Sequence, residues 1–210
     1  ISGNVSNALT YGTTHPYGEI TNESTVSNIS LEDCKNYYNT YFKPGNAYLV
    51  IVGDITPEAA KTKAEKYFGS WPAGKTPEYE YAFPKGVDNT SVAFIDKSGA
   101  VQSVINITYA LDLKPGAPDV IPARVMNTIL GSGFSGRLFK NLREDKAYTY
   151  GAYSSLDDDE LVGNFSANAS VRNEVTDSAI TQFFLELDKL RNEPVSQEEL
   201  DLAKSFIAGG

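Results

Sequence analysis

The run Leu161-Val162-Gly163-Asn164-Phe165-Ser166-Ala167-Asn168-Ala169-Ser170-Val171 alternates polar and apolar side chains without a break from Asn164 onward. Successive side chains of a β-strand point to opposite faces, so this alternation predicts a strand with one buried and one polar face, as in antiparallel sheets. Tyr148 to Leu156 lies upstream, and the acidic turn Asp157-Asp158-Asp159-Glu160 separates the two runs. Together they predict a hairpin with a solvated turn; the spaced D-x-D-x-D-G pattern of a Ca²⁺ loop is absent. Val101 to Tyr109 repeats the alternation, with Val101, Ile105, Ile107 and Tyr109 on one face and Gln102, Asn106 and Thr108 on the other. Ser91 to Asp96 is expected to add a further strand.

Helices are expected around these strands. Pro118 to Leu130 and Phe134 to Arg143 form a pair, and Asn173 to Arg191 places Val175, Ala179, Phe183, Leu187 and Leu190 at helical spacing. Ser196-Gln197-Glu198-Glu199 reads as a capping box opening a last helix. The expected fold is α/β of the α+β kind, a mainly antiparallel sheet covered by helices.

Upstream, Ser30-Leu31-Glu32-Asp33 predicts a capped helix that runs to about Phe42 and stops at Lys43-Pro44-Gly45. The continuous apolar run Ala47 to Val52, flanked by glycine, predicts a central strand buried on both faces. Thr56-Pro57-Glu58 then starts another helix, with Thr as cap and Pro at its first position, running to about Phe68. From Gly69 to Asn89, Pro72, Pro77 and Pro84 interrupt any periodicity, which marks a linker; Trp71, Tyr79, Tyr81 and Phe83 would pack it along both halves.

The 210 residues are 41% apolar and 11% aromatic, enough to bury a core. A net charge of −9 argues against nucleic acid and against anionic membrane surfaces as partners. There is no run of about 18 apolar residues to span a membrane and no basic-then-apolar leader. Cys34, the only cysteine, excludes an internal disulfide; it shares a helical face with Leu31, Tyr38 and Tyr41 and is expected to be a small buried hydrophobe. Asn-x-Ser/Thr sequons recur at Asn4, Asn22, Asn28, Asn89, Asn106, Asn164 and Asn168, as chance produces in so Asn- and Ser-rich a chain.

Gly131-Ser132-Gly133-Phe134-Ser135-Gly136 has neither the Walker lysine nor G-x-G-x-x-G spacing, so it reads as a sharp turn between two helices and not as a phosphate cradle. Beyond it, Arg143 and Tyr150 bring a cation and a phenol to a helix-to-strand junction. Arginine offers a planar fork of donors for carbonyl or carboxylate oxygens, and tyrosine adds one directional hydrogen bond. The structural alternative is that Arg143 pairs with Glu144 or Asp145 while Tyr150 simply packs. His15 and Glu19 are four apart, but Pro16 and Gly18 lie between them and disfavour a shared helical face. One histidine supports no Ser-His-Asp set and no paired-His zinc site. The residues therefore indicate binding without chemistry: no catalytic residue and no metal ligand.

Several segments in order resemble the insulinase-like, or pitrilysin-family, zinc peptidases, whose metal motif is the inverted H-x-x-E-H. They are His15-Pro16-Tyr17-Gly18; Tyr41 to Asp54; Leu130 to Glu144 with Tyr150; and S-x-x-E-L-x-x-A at Ser196 to Ala203. Ala147-Tyr148 departs from the family's usual Gly-Leu. The resemblance implies that residues 1–75 close a first, zinc-bearing repeat, that 76–90 link the repeats, and that 91–210 begin a second, inactive repeat. It implies that the zinc helix lies upstream of Ile1, so zinc belongs to the parent protein and no cofactor to this chain. Arg143 and Tyr150 would hold the main chain of an extended peptide substrate opposite that metal. The implied partners are the peptide and a zinc-bearing domain of the same or another chain, with a homo- or heterodimer compatible. The rival reading is a non-enzymatic assembly subunit of the same fold without zinc at full length. Compartment is left open between cytoplasmic and extracytoplasmic.

Overall fold

The structure, a computed structural model, describes residues 1–87 and 89–209; Asp88, inside the expected linker, and Gly210 lie outside the described residues. The elements in chain order are α1 (Ser2–Tyr11), α2 (Glu23–Ser27), α3 (Leu31–Tyr41), α4 (Pro57–Phe68), β1 (Gln102–Leu111), α5 (Val120–Gly131), α6 (Arg137–Phe139), β2 (Thr149–Asp157), β3 (Gly163–Arg172), α7 (Thr176–Asn192) and α8 (Gln197–Gly209). Helix α6 runs directly into one π-helical turn, Lys140–Asp145. Contacts group Ile1–Ile20 with the chain from Tyr81 onward as one unit, and Thr21–Glu80 as another.

In the larger unit the three strands form an antiparallel sheet in the order β1-β3-β2. The alternation read in β3 is realised in its burial: Phe165, Ala167, Ala169 and Val171 are buried, while Asn168 and Ser170 are exposed. The register sets Ile105 opposite Ala169 and Ala152 opposite it on the other side, so one continuous apolar face forms. Leu130 of α5, Leu138 of α6, Leu142 of the π turn, and Ala179 and Phe183 of α7 close over that face. Burying each large side chain contributes about 1.5 to 3 kcal/mol, which makes this cluster the main stabilising element. The opposite face carries the polar residues of β1 and β3, and α1 packs on β1, where the Thr10 and Thr108 hydroxyls meet at 2.6 Å.

The glycine-rich turn works through close approach. A Cβ on Gly131 would stand 2.6 Å from the Ser154 amide nitrogen and 2.7 Å from its Oγ, so only glycine lets the end of α5 rest against β2. Gly136 in turn leaves no room for a Cβ, which would fall 2.7 Å from the Gly131 Cα. Gly133 has φ +102°, outside the range of other residues.

At the last helix, the capping box forms as expected: Ser196 Oγ accepts from Glu199 N at 3.2 Å, and Glu199 Oε2 accepts from Ser196 N at 3.1 Å. The same carboxylate takes a two-pronged bond from Arg137, Nε at 2.7 Å and Nη2 at 2.9 Å, tying α8 to α6. That Arg137 fork, joined by the Ser196 donors, holds the Glu199 carboxyl at about 2, below its ordinary 4.5. A depressed carboxyl stabilises the fold fully above its unfolded value and ceases to do so as pH falls toward 2. Linkage sets an upper bound of about 3 kcal/mol, and screening of a side chain 32% exposed reduces this to about 1 to 2 kcal/mol. Glu199→Gln should therefore lower stability near neutral pH and flatten the loss between pH 4.5 and 2; denaturant titrations with the same slope as wild type in that window would contradict this.

In the smaller unit the expected caps are present. Ser30 and Asp33 exchange hydrogen bonds at the start of α3, and Thr56 Oγ1 accepts from Ala59 N at 3.2 Å at the start of α4. Tyr38 stacks on Phe42, and the Tyr41 and Tyr79 hydroxyls meet at 2.7 Å. None of the described residues of this unit is buried.

Three expectations are corrected. Ala47 to Val52 does not form a strand: it is unpaired, with Tyr48, Val50 and Val52 exposed at 99%, 81% and 92%. Ser91 to Asp96 is likewise unpaired, with Val92 and Phe94 exposed at 86% and 87%. Apolar side chains favour a strand, but a strand exists only when neighbours take its N–H and C=O groups. Among the described residues no neighbour does so. Cys34 is exposed, not buried, because no described residue covers the helical face it shares with Leu31 and Tyr38.

Candidate substrate-binding site

Arg143 sits on the π turn, and the turn's geometry explains its exposure. Lys146 N bonds to the Asn141 carbonyl five residues back at 3.0 Å, and Tyr148 N reaches the Leu142 carbonyl at 2.9 Å. A π turn widens the helix locally and re-aims the following side chains, which is why such turns recur at functional sites. Leu142 is wholly buried and anchors the turn in the core, so its neighbour Arg143 faces solvent. Ala147 closes the turn at φ +53°, the one described non-glycine residue at positive φ. This is the position where the resembling family usually has glycine, whose lack of a Cβ suits that conformation.

Tyr150 is presented by a β-bulge. Thr149 pairs with Val171 and Ala152 with Ala169, so Tyr150 and Gly151 together face Ser170 alone. Simple alternation would put Tyr150 on the core face with buried Ala152 and Ser154; the extra residue breaks the alternation, and Tyr150 is 84% exposed. Thr149 Oγ1 fixes the bulge by accepting from Gly151 N at 3.2 Å and donating to the Ser170 carbonyl at 2.6 Å. Tyr150 borders a recess of about 350 Å³ on the polar sheet face, beside Gln102, Tyr153 and Asn168.

The two predicted residues meet. Arg143 Nη1 donates to the Tyr150 carbonyl, and the guanidinium carbon lies 5.4 Å from the Phe139 ring and 5.8 Å from the Tyr150 ring. The alternative pairing of Arg143 with Glu144 or Asp145 does not occur among the described residues. The arrangement offers a fork of donors and a phenol at an open surface, suited to carbonyl or carboxylate oxygens. It contains no nucleophile or general base.

The remaining candidates serve structure. His15 is 5% exposed; its Nδ1 accepts from Tyr17 N at 3.1 Å, and Tyr11, Tyr17 and Tyr81 pack around its ring. Tyr17 donates to both carboxylate oxygens of Asp159 at 3.0 Å. Burial alone would raise the Asp159 carboxyl, but the N–H groups of Leu161 and Val162, at 2.7 and 3.0 Å, outweigh it and pull it below its ordinary range. The acidic turn is therefore not merely solvated: Asp159 builds it, and Asp158 pairs with Arg124 at 2.7 Å. A zinc ion fits none of this. His15 has one ring nitrogen engaged, and the described residues hold no group of three or more His, Cys, Asp or Glu able to ligate a metal. No described helix is long and apolar enough to cross a membrane.

Sequence reasoning missed the bulge, the π turn and its supports. Gly151 inside an alternating strand is a bulge signal that the pattern carried. Nothing in the periodicity of Lys140 to Asp145 marks a π turn.

In the larger unit an antiparallel sheet is covered by helices, an α+β arrangement, and the described residues hold no group of three or more His, Cys, Asp or Glu able to ligate a metal. Residues 28–206 match the family model described as the peptidase M16 inactive domain, and the chain belongs to that family, as its ordered motifs indicated. It is 26% identical to a crystal structure of a peptidase M16 inactive domain from Pseudomonas fluorescens, with a TM-score of 0.87 over 99% of this chain and 50% of that one. It is 25% identical to the uncharacterized zinc protease YmxG of Bacillus subtilis, covering 89% of this chain and 44% of that protein. It is 22% identical to a Helicobacter pylori protein named non-peptidase homolog YmxG, covering 89% of this chain and 43% of that protein. The chain thus spans less than half the length of these two curated relatives.

Proposed function

We propose that this chain is the substrate-binding, non-catalytic portion of a zinc-dependent endopeptidase acting on peptides or small proteins. The supporting observation is the convergence of an exposed Arg143 and a bulge-presented Tyr150 at one open surface. Arg143 donates to a carbonyl or carboxylate of an extended peptide, and the Tyr150 hydroxyl adds a second hydrogen bond, fixing the main chain in register. The zinc centre belongs to the parent protein's other domain, held by residues outside this chain. In this reading 1–75 close the zinc-bearing repeat, 76–90 link the repeats and 91–210 begin the inactive one. The exposed apolar side chains of Tyr48, Val50 and Val52 fit this division, since they leave a surface for a partner outside this chain to cover.

The chain alone is expected to show no peptide hydrolysis with or without added zinc, whereas the full-length protein cleaves and loses activity on chelation. Zinc-dependent cleavage by the 210 residues by themselves would overturn the proposal. A relative named as a non-peptidase homolog supports a second reading, an assembly subunit with the same fold and no zinc motif. The presence of H-x-x-E-H in the parent protein separates the two.

A further inference from the structure

The proposed role of Arg143 needs its guanidinium held in one place: the Tyr150 carbonyl and the Phe139 and Tyr150 rings hold it directly, and the turn that bears it is tied to α7. Asn141 lies two residues before Arg143, and its main-chain carbonyl closes the π turn by accepting from Lys146 N at 3.0 Å. Its side-chain amide gives one N–H to Glu186 Oε1 at 2.7 Å and the other to Gln182 Oε1 at 3.1 Å, both on α7. Two acceptors on one nitrogen fix which way the amide faces, and that leaves Asn141 Oδ1 buried without a hydrogen-bond partner among the described residues. Glu186 is 4% exposed and is itself held by Lys189 Nζ at 2.9 Å. A buried carboxylate and an orphaned carbonyl oxygen both lower stability, so a network built for stability alone would be expected to use apolar side chains here. What this network does provide is a hydrogen-bonded link from α7 to the turn that bears Arg143.

We infer that Asn141, clamped by Glu186 and Gln182, is the positioning residue for peptide recognition: it sets the π turn and thereby the aim of Arg143. This rests on the proposed role of Arg143 and adds to it a residue that does not itself touch the peptide. If the amide is removed, the turn relaxes toward ordinary helical spacing, Arg143 samples several orientations, and its hydrogen bond to the peptide forms less often.

The test is a double-mutant cycle on the full-length protein, read as the affinity for a fluorescently labelled extended peptide, with melting temperature recorded for every variant. Asn141→Ala should weaken binding at least fivefold in the wild-type background and have no further effect when Arg143→Ala is already present. Gln182→Ala, which removes one of the two clamps, should give a smaller loss in the same direction and serves if Asn141→Ala folds poorly. Glu186→Gln keeps an acceptor for the amide and should retain affinity. Unchanged affinity in both Asn141→Ala and Gln182→Ala, or losses that add fully to that of Arg143→Ala, would overturn the positioning role. No effect of Arg143→Ala by itself would overturn the underlying binding site as well.

Discussion

Replacing Arg143 with alanine in the full-length protein should reduce kcat/KM on peptide substrates by about 10- to 100-fold while leaving zinc content unchanged. The size follows from a hydrogen bond donated by a charged group, worth about 1.5 to 3 kcal/mol. The zinc content follows from the absence of any metal cluster among the described residues of this chain. Arg143 is exposed, and its neighbours are a backbone carbonyl and two ring faces, so the substitution creates no cavity and should lower the melting temperature little. The division of the loss is informative. A rise in KM with constant kcat means that substrate and transition state are gripped equally, whereas a fall in kcat means that the grip tightens as the scissile carbonyl changes geometry. Unaltered kinetics on several peptides would remove Arg143 from the site.

Gly131→Ala should destabilise the fold strongly for so small a change, the addition of a single methyl group. The new Cβ would meet the Ser154 amide nitrogen at 2.6 Å and its Oγ at 2.7 Å, and also the Leu138 side chain at 3.0 Å. Leu138 can shift, but the Ser154 nitrogen is main chain of a paired strand and cannot yield without moving β2. Overpacking of this kind costs about 1 to 3 kcal/mol and occasionally more, which exceeds the roughly 1 kcal/mol that alanine gains over glycine in a helix. A loss of about 2 kcal/mol in chemical denaturation is expected from that balance. A neutral or stabilising result would mean that α5 does not rest on β2 as closely as described.

Much of the fold is legible because the deciding signals are local. The alternation from Asn164 to Val171 carries its own strand geometry, and Ser30, Thr56 and Ser196 each cap a helix with residues within one turn. The runs at Ala47 to Val52 and Ser91 to Asp96 mislead for the complementary reason: apolar content is local, but strand pairing depends on a neighbour elsewhere in the chain or outside it. The same holds for Cys34, whose apolar helical face is visible in the sequence while its cover is not. At the candidate site, an ordered set of motifs points to Arg143 and Tyr150 but not to the devices that present them. The π turn lies beside the buried Leu142 and the Asn141 to Glu186 bond, and both contacts exist only in the folded chain. Glu199 illustrates the reverse case: its capping role is written in Ser196-Gln197-Glu198-Glu199, but its bond to Arg137, 62 positions away, is visible only in the folded chain.

The measurement that bears most directly on the central claim is equilibrium binding of an extended peptide to the full-length protein carrying Arg143→Ala and Tyr150→Phe together. Both side chains are exposed, so the variant should melt with the wild type. If the peptide is held at this surface, affinity falls by more than tenfold at unchanged melting temperature. An affinity equal to that of wild type would contradict the assignment of this surface as the place where the peptide is held.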